Sequence, residues 1–80
     1  MIRLEGTTIH LEDACPVEEA ERLLELLQSG TATGIDLDGC RSVHTAVFQL
    51  LLAAPLPIHT LPPEPMLAGL LAGRPSPGPA

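Results

Sequence analysis

The sequence predicts an α/β domain, a four-stranded mixed sheet in the order ββαβαβα with three helices mainly on one face. Three observations carry that reading. Short runs at Ile2–Glu5, Thr8–Glu12 and Gly34–Asp38 alternate apolar and polar residues, as strands with one buried face do. A Glu-rich stretch after Pro16 repeats its apolar residues at helical spacing. Leucine-rich segments then alternate with strand-like ones up to Gly73.

Ile2-Arg3-Leu4-Glu5 and Thr8-Ile9-His10-Leu11-Glu12 flank Gly6-Thr7, which predicts a hairpin. Asp13-Ala14-Cys15 leads into a first helix with Pro16 as its first residue. Val17, Ala20, Leu23, Leu24 and Leu27 form its apolar stripe, and Glu18, Glu19, Glu21, Arg22 and Glu25 the wet side. The early acids suit the positive end of the helix dipole, and Ser29-Gly30 closes the helix. Gly34–Asp38 is the third strand, and a loop from Asp38 to Thr45 follows. The second helix runs from His44 or Thr45 to Ala54, with Val47, Leu50, Leu51 and Ala54 inward. Pro57–Leu61 is the fourth strand, with Pro57 suited to a strand start or an edge. A short third helix spans Met66–Ala72 and ends at Gly73. The domain is therefore expected over residues 1–73, with 74–80 a flexible Pro/Gly-rich tail. Right-handed crossovers running one way along a sheet leave the helices on one face. The opposite face is expected to show Arg3, Glu5, Thr8, His10, Asp36 and His59.

Composition narrows the function. Ten carboxylates face four arginines and no lysine, for a formal charge of −6. No cationic cluster exists to displace counterions from a nucleic acid. Phe48 is the only aromatic residue, too little for base stacking. With 45% hydrophobic residues, fifteen of them leucine, the chain is expected to fold. No apolar stretch approaches the roughly 20 residues of a membrane span. Two cysteines do not make a disulfide framework and no leader is visible, so a cytoplasmic protein with reduced thiols is expected.

Functional residues collect where parallel strands end and helices begin. That edge is expected to carry Asp13, Cys15, Asp38, Cys40, Ser42, His44, Thr45 and Glu64, with the two thiols as near neighbours. A Cys-Cys-His metal site with His44 is the sharp reading; two small semi-buried thiols without metal are the expectation, since no zinc spacing is present. His10, Asp36 and His59 on adjacent strands are read as a solvated charge-balanced face. No phosphate loop, nucleophile elbow or HExxH motif occurs, so neither an enzyme nor a cofactor is expected. Thr45 stands at a helix start. Its plain role is a cap; its functional role is a phosphorylation or partner-contact site, because phosphate is tolerated at a helix N-terminus.

The stretch Gly34-Ile35-Asp36-Leu37-Asp38-Gly39-Cys40-Arg41-Ser42-Val43-His44-Thr45-Ala46-Val47-Phe48-Gln49-Leu50-Leu51-Leu52 resembles the STAS domain of bacterial anti-sigma factor antagonists. That family's pattern is a strand ending in Asp-Leu-Ser, a short loop, then Asp-Ser/Thr-x-Gly opening a Leu-rich helix. Here His44 stands for the Asp, Thr45 matches the first hydroxyl position, Ala46 stands where the phosphorylated serine is commonest, and Val47 replaces the glycine. The resemblance implies a STAS-like fold and a non-enzymatic protein-interaction module. It implies a partner surface made of Asp38, Arg41, Ser42, His44, Thr45 and Phe48, with Thr45 the candidate phosphorylation site. The implied partner is an anti-sigma kinase-like protein, or the ATPase subunit of a lipid-transport ABC system. The alternatives are a STAS subunit in a transporter or chemotaxis-linked complex without a phosphoswitch, and a small metal- or ligand-binding domain.

Overall fold

The computed structural model describes residues 1–73. The predicted tail, 74–80, lies outside the described residues. The elements are β1 (Ile2–Glu5), β2 (Thr8–Leu11), β3 (Asp13–Cys15), α1 (Glu18–Gln28), β4 (Gly34–Asp36), β5 (Cys40–Val43), α2 (Thr45–Ala53), β6 (Ile58–Thr60) and α3 (Pro65–Ala72). β1, β2, β4 and β6 form a mixed sheet in that spatial order, with β1–β2 antiparallel and the other pairs parallel. Gly6 turns the hairpin with φ +62, a conformation that glycine adopts without steric penalty.

The alternation in the sequence decides the faces. Ile9, Leu11, Ile35 and Leu37 are fully buried, and Ile2 is nearly so. Burying a side chain of this size is worth about 1.5–3 kcal/mol relative to leaving it in water. Leu23 and Leu26 of α1, Val47 and Leu51 of α2 and Leu71 of α3 join those residues in a single apolar cluster. All three helices thus contribute to the core that the inner sheet face begins.

Two expectations need correction. The first concerns the sheet. Asp13–Cys15 is a strand rather than a lead-in, and it pairs in parallel with Cys40–Val43, inside the stretch expected to be a loop. The expected four-stranded sheet is present in the expected order, and among the described residues a second, two-stranded sheet is added to it. The second concerns α1. Pro16 and Val17 form a turn ahead of the helix, with Glu19 N–H donating to the Pro16 carbonyl at 2.9 Å. The helix begins two residues later than predicted, at Glu18. Four leucines in five positions leave its stripe ambiguous by one residue, and docking against β1, β3 and α2 selects Leu23 and Leu26. Val17 and Leu24, expected inside, are exposed. In α2, Val47 and Leu51 are buried as the spacing predicts, and Ala54 is buried just past the helix end.

Candidate functional site

The segment from Asp36 to Thr45 is built by short local hydrogen bonds. The Asp36 carboxylate accepts from the Asp38 N–H at 2.8 Å, an Asx turn that swings the chain off the end of β4. The Cys40 N–H donates to the Leu37 carbonyl and the Asp13 N–H to the Gly39 carbonyl, which starts the β3–β5 ribbon. Along β5, Cys40 points into the core while Arg41 and Ser42 are exposed. The His44 N–H donates to the Cys15 carbonyl at 2.9 Å and ends the ribbon where α2 begins.

Thr45 occupies the first turn of α2 and is exposed, as expected of a contact or modification site. It does not hold the cap position proposed for it. His44 does: its backbone is extended (φ −70, ψ 153), and its Nδ1 accepts from the Ala46 N–H at 3.0 Å. An imidazole nitrogen in its unprotonated form here does what a serine or aspartate oxygen does at other helix starts.

Of the six residues expected at a partner surface, Asp38, Arg41, Ser42, His44 and Thr45 are exposed along this segment. Phe48 is half-buried and packs against the core, so it presents only part of its ring. Arg41 and Ser42 also line a groove of about 350 Å³ with Val43, Glu64, Met66, Leu67 and Leu70. Met66 and Leu70 are 74% and 55% exposed, unusual for such large apolar side chains. Glu64 caps α3, its two oxygens accepting from the Met66 and Leu67 N–H groups at 3.2 and 2.7 Å. Glu64 was placed at this edge by the sequence, but the part of α3 in the groove was not. The available signal was Met66 and Leu70, one helical turn apart and beside the inward pair Leu67 and Leu71.

Cys15 and Cys40 are free thiols, 1% and 0% exposed. They lie on the paired strands β3 and β5, with Cys15 Sγ 3.8 Å from the Met1 and Glu12 carbonyls and Cys40 Sγ 3.8 Å from the Ser42 carbonyl. The Cys40 thiol is the main cause that draws the Cys15 thiol below its ordinary value, and the Cys15 thiol together with burial pushes Cys40 up. Among the described residues, no three His, Cys, Asp or Glu side chains are placed to hold a metal ion. His44, the third ligand of the sharp metal reading, is engaged at the α2 cap instead.

The outer sheet face carries the polar row that alternation predicts. Arg3 donates to Glu12 at 2.9 Å and to Glu5 at 2.8 Å. Arg3 holds the Glu12 carboxyl below the usual carboxylate range, chiefly through that hydrogen bond. His10 sits 3.9 Å from both Glu5 and Asp36. The His59 ring lies over Gly34, where a Cβ would strike it.

No protein-family model, no curated protein and no solved structure matches this chain. Among the described residues, no helix is long and apolar enough to cross a membrane.

Proposed function

We propose that the chain is a STAS-like protein-interaction module without enzymatic activity, which binds a protein partner through the Asp38–Thr45 segment and the adjoining face of α2. The observation that carries this reading is the exposed hydroxyl of Thr45 at the start of α2, reached from exposed Arg41 and Ser42 on a strand that borders an apolar groove. The resemblance in Ile35–Leu52 supplies the partner class: an anti-sigma protein of the ATP-binding kinase type. The mixed sheet β1-β2-β4-β6 with three helices is compatible with that family's architecture. The second reading is the transporter or chemotaxis-linked subunit with no phosphoswitch, which Ala46 at the commonest phosphorylated position favours.

The test is a calorimetric titration of a purified anti-sigma protein of the ATP-binding kinase type with wild type, Thr45→Glu and Thr45→Ala. Charge placed at the contact weakens binding by about tenfold or more, equivalent to about 1.4 kcal/mol. Thr45→Ala binds within about twofold of wild type, because the cap belongs to His44 and not to Thr45. Equal affinity for wild type and Thr45→Glu would remove this surface from the proposal. Incubation with the same protein and ATP separates the two readings: phosphate on Thr45 supports the switch, and binding without phosphate transfer supports the subunit.

A further inference from the structure

The third helix has a composition that its place in the chain does not explain. From Pro65 to Ala72 it carries no polar side chain. A helix that is apolar all round is ordinarily buried on every side. Here only Leu71 is buried, with Leu67 half-buried against the core. Met66 and Leu70 stand largely exposed along the groove that they share with Arg41, Ser42, Val43 and Glu64. Gly69 lies beside Leu70 on the same helix, and a Cβ added there would enter open space. Glycine inside a helix weakens it relative to alanine, and no packing within the chain requires it here; what it provides is room for a close approach from outside.

The charges of the groove select what covers it. Arg41 makes no ion pair among the described residues. The Glu64 carboxylate accepts from two backbone N–H groups of its own helix, which leaves lone pairs for a guanidinium. The patch thus holds one cation and one anion, in a chain of formal charge −6. Copies of so acidic a chain repel one another over most of their surface. On this patch a two-fold contact sets Arg41 of each copy against Glu64 of the other. The apolar part is self-complementary in the same way, because a two-fold crossing of α3 on α3 seats Leu70 of each copy over Gly69 of the other. A bilayer surface does not match, since interfacial helices use several cations and this groove has one.

We infer that the α3 groove is a homodimer interface, in which two copies of this chain pack α3 on α3 about a two-fold axis with reciprocal Arg41–Glu64 contacts at the rim. A helix of eight residues is about 12 Å long, so the contact is smaller than the about 1,200–2,000 Å² of a standard interface and the dimer dissociates on dilution. The inference does not rest on the interaction reading. Arg41 and Ser42 belong to both surfaces, so a copy paired in this way has them covered.

The experiment needs no other protein. The whole chain is followed by sedimentation velocity over a dilution series from about 1 mM to about 1 μM, the range in which weak contacts come apart. The expected result is a monomer–dimer equilibrium without larger species, because a two-fold contact closes on itself. Leu70→Glu abolishes the dimer. Gly69→Gln abolishes it as well and guards against a folding artefact: glutamine favours the helix, and its side chain enters open space in the monomer, so the thermal midpoint at the dilute end equals or exceeds that of wild type. Arg41→Glu weakens the dimer by about tenfold or more. Arg22→Glu makes the same change of charge on the exposed side of α1 and leaves the affinity within about twofold. A wild type that stays monomeric over the whole series overturns the proposal. So does a dimer that Gly69→Gln and Leu70→Glu leave intact, an assembly that grows beyond two copies, or equal weakening by Arg41→Glu and Arg22→Glu.

Discussion

The cap on α2 allows the sharpest test of the local geometry. In His44→Ala the Ala46 N–H loses its Nδ1 acceptor and the first turn of a nine-residue helix is left open. Removing a side-chain N-cap acceptor costs about 0.5–2 kcal/mol. For a domain of this size each kcal/mol moves the thermal midpoint by about 4–8 °C, so a central loss of about 1 kcal/mol is well resolved. It is also a sizeable part of the total, since about 0.05–0.15 kcal/mol per residue gives roughly 4–12 kcal/mol for 80 residues. His44→Asp restores an acceptor and adds charge suited to the helix dipole, so it matches or exceeds wild type near neutral pH. Thr45→Ala stays within about 0.5 kcal/mol, as an exposed side chain without a capping role does. The assay is thermal and urea unfolding of the four proteins followed by far-ultraviolet circular dichroism. A Thr45→Ala loss as large as that of His44→Ala, or a His44→Asp as weak as His44→Ala, would refute the assignment of the cap.

Two further outcomes test the core and the outer sheet face. Ile35 is fully buried at the centre of the sheet, with Ile9 and Ile58 as its cross-strand partners; Ile35→Ala is expected to lose about 2–5 kcal/mol in urea unfolding, and a loss under about 1 kcal/mol would mean the site is not packed as described. Glu12 has a depressed folded pKa because Arg3 donates to it, so its contribution is present above the ordinary Glu value and disappears as pH falls through the folded value. The thermal midpoint of wild type should therefore exceed that of Glu12→Gln near pH 7 and converge with it in strong acid. Added salt should narrow the gap, since the pair is solvent-exposed.

The elements read most accurately are those whose pattern has one physical solution. In Ile2–Glu5, Thr8–Leu11 and Gly34–Asp36 a slip of one residue would bury Arg3, His10 or Asp36, so the alternation settles both strand and face. The β3–β5 ribbon was not legible, because Asp13-Ala14-Cys15 is three residues long and Cys40-Arg41-Ser42-Val43 has no strict alternation. Each strand is stable only against the other, a long-range fact that no local window contains. The cap was misassigned for a different reason. A hydroxyl is the commoner capping group, and the backbone places it one residue too far along to serve. The proximity of the thiols was legible, because strands that leave adjacent positions at equivalent points carry their next residues together.

Every parallel pairing among the described residues closes a similar length of sequence, from Thr8 to Gly34, from Ile35 to Ile58 and from Asp13 to Cys40. The entropy of closing a loop changes only with the logarithm of its length, so none of the three crossovers has a head start on that account. The order in which they assemble falls instead to what each buries first and what each needs already in place. Among the described residues, the hairpin of β1 and β2 is the one local pairing, closed by a two-residue turn. β2 docking on β4 brings Ile9 against Ile35, both fully buried in the folded chain. β3 and β5 continue directly from those two strands, so their ribbon has a template only after the central pair has met. During synthesis or refolding the two thiols therefore come together late, as neighbours in the finished protein and as separate, solvated groups on the chain that precedes it.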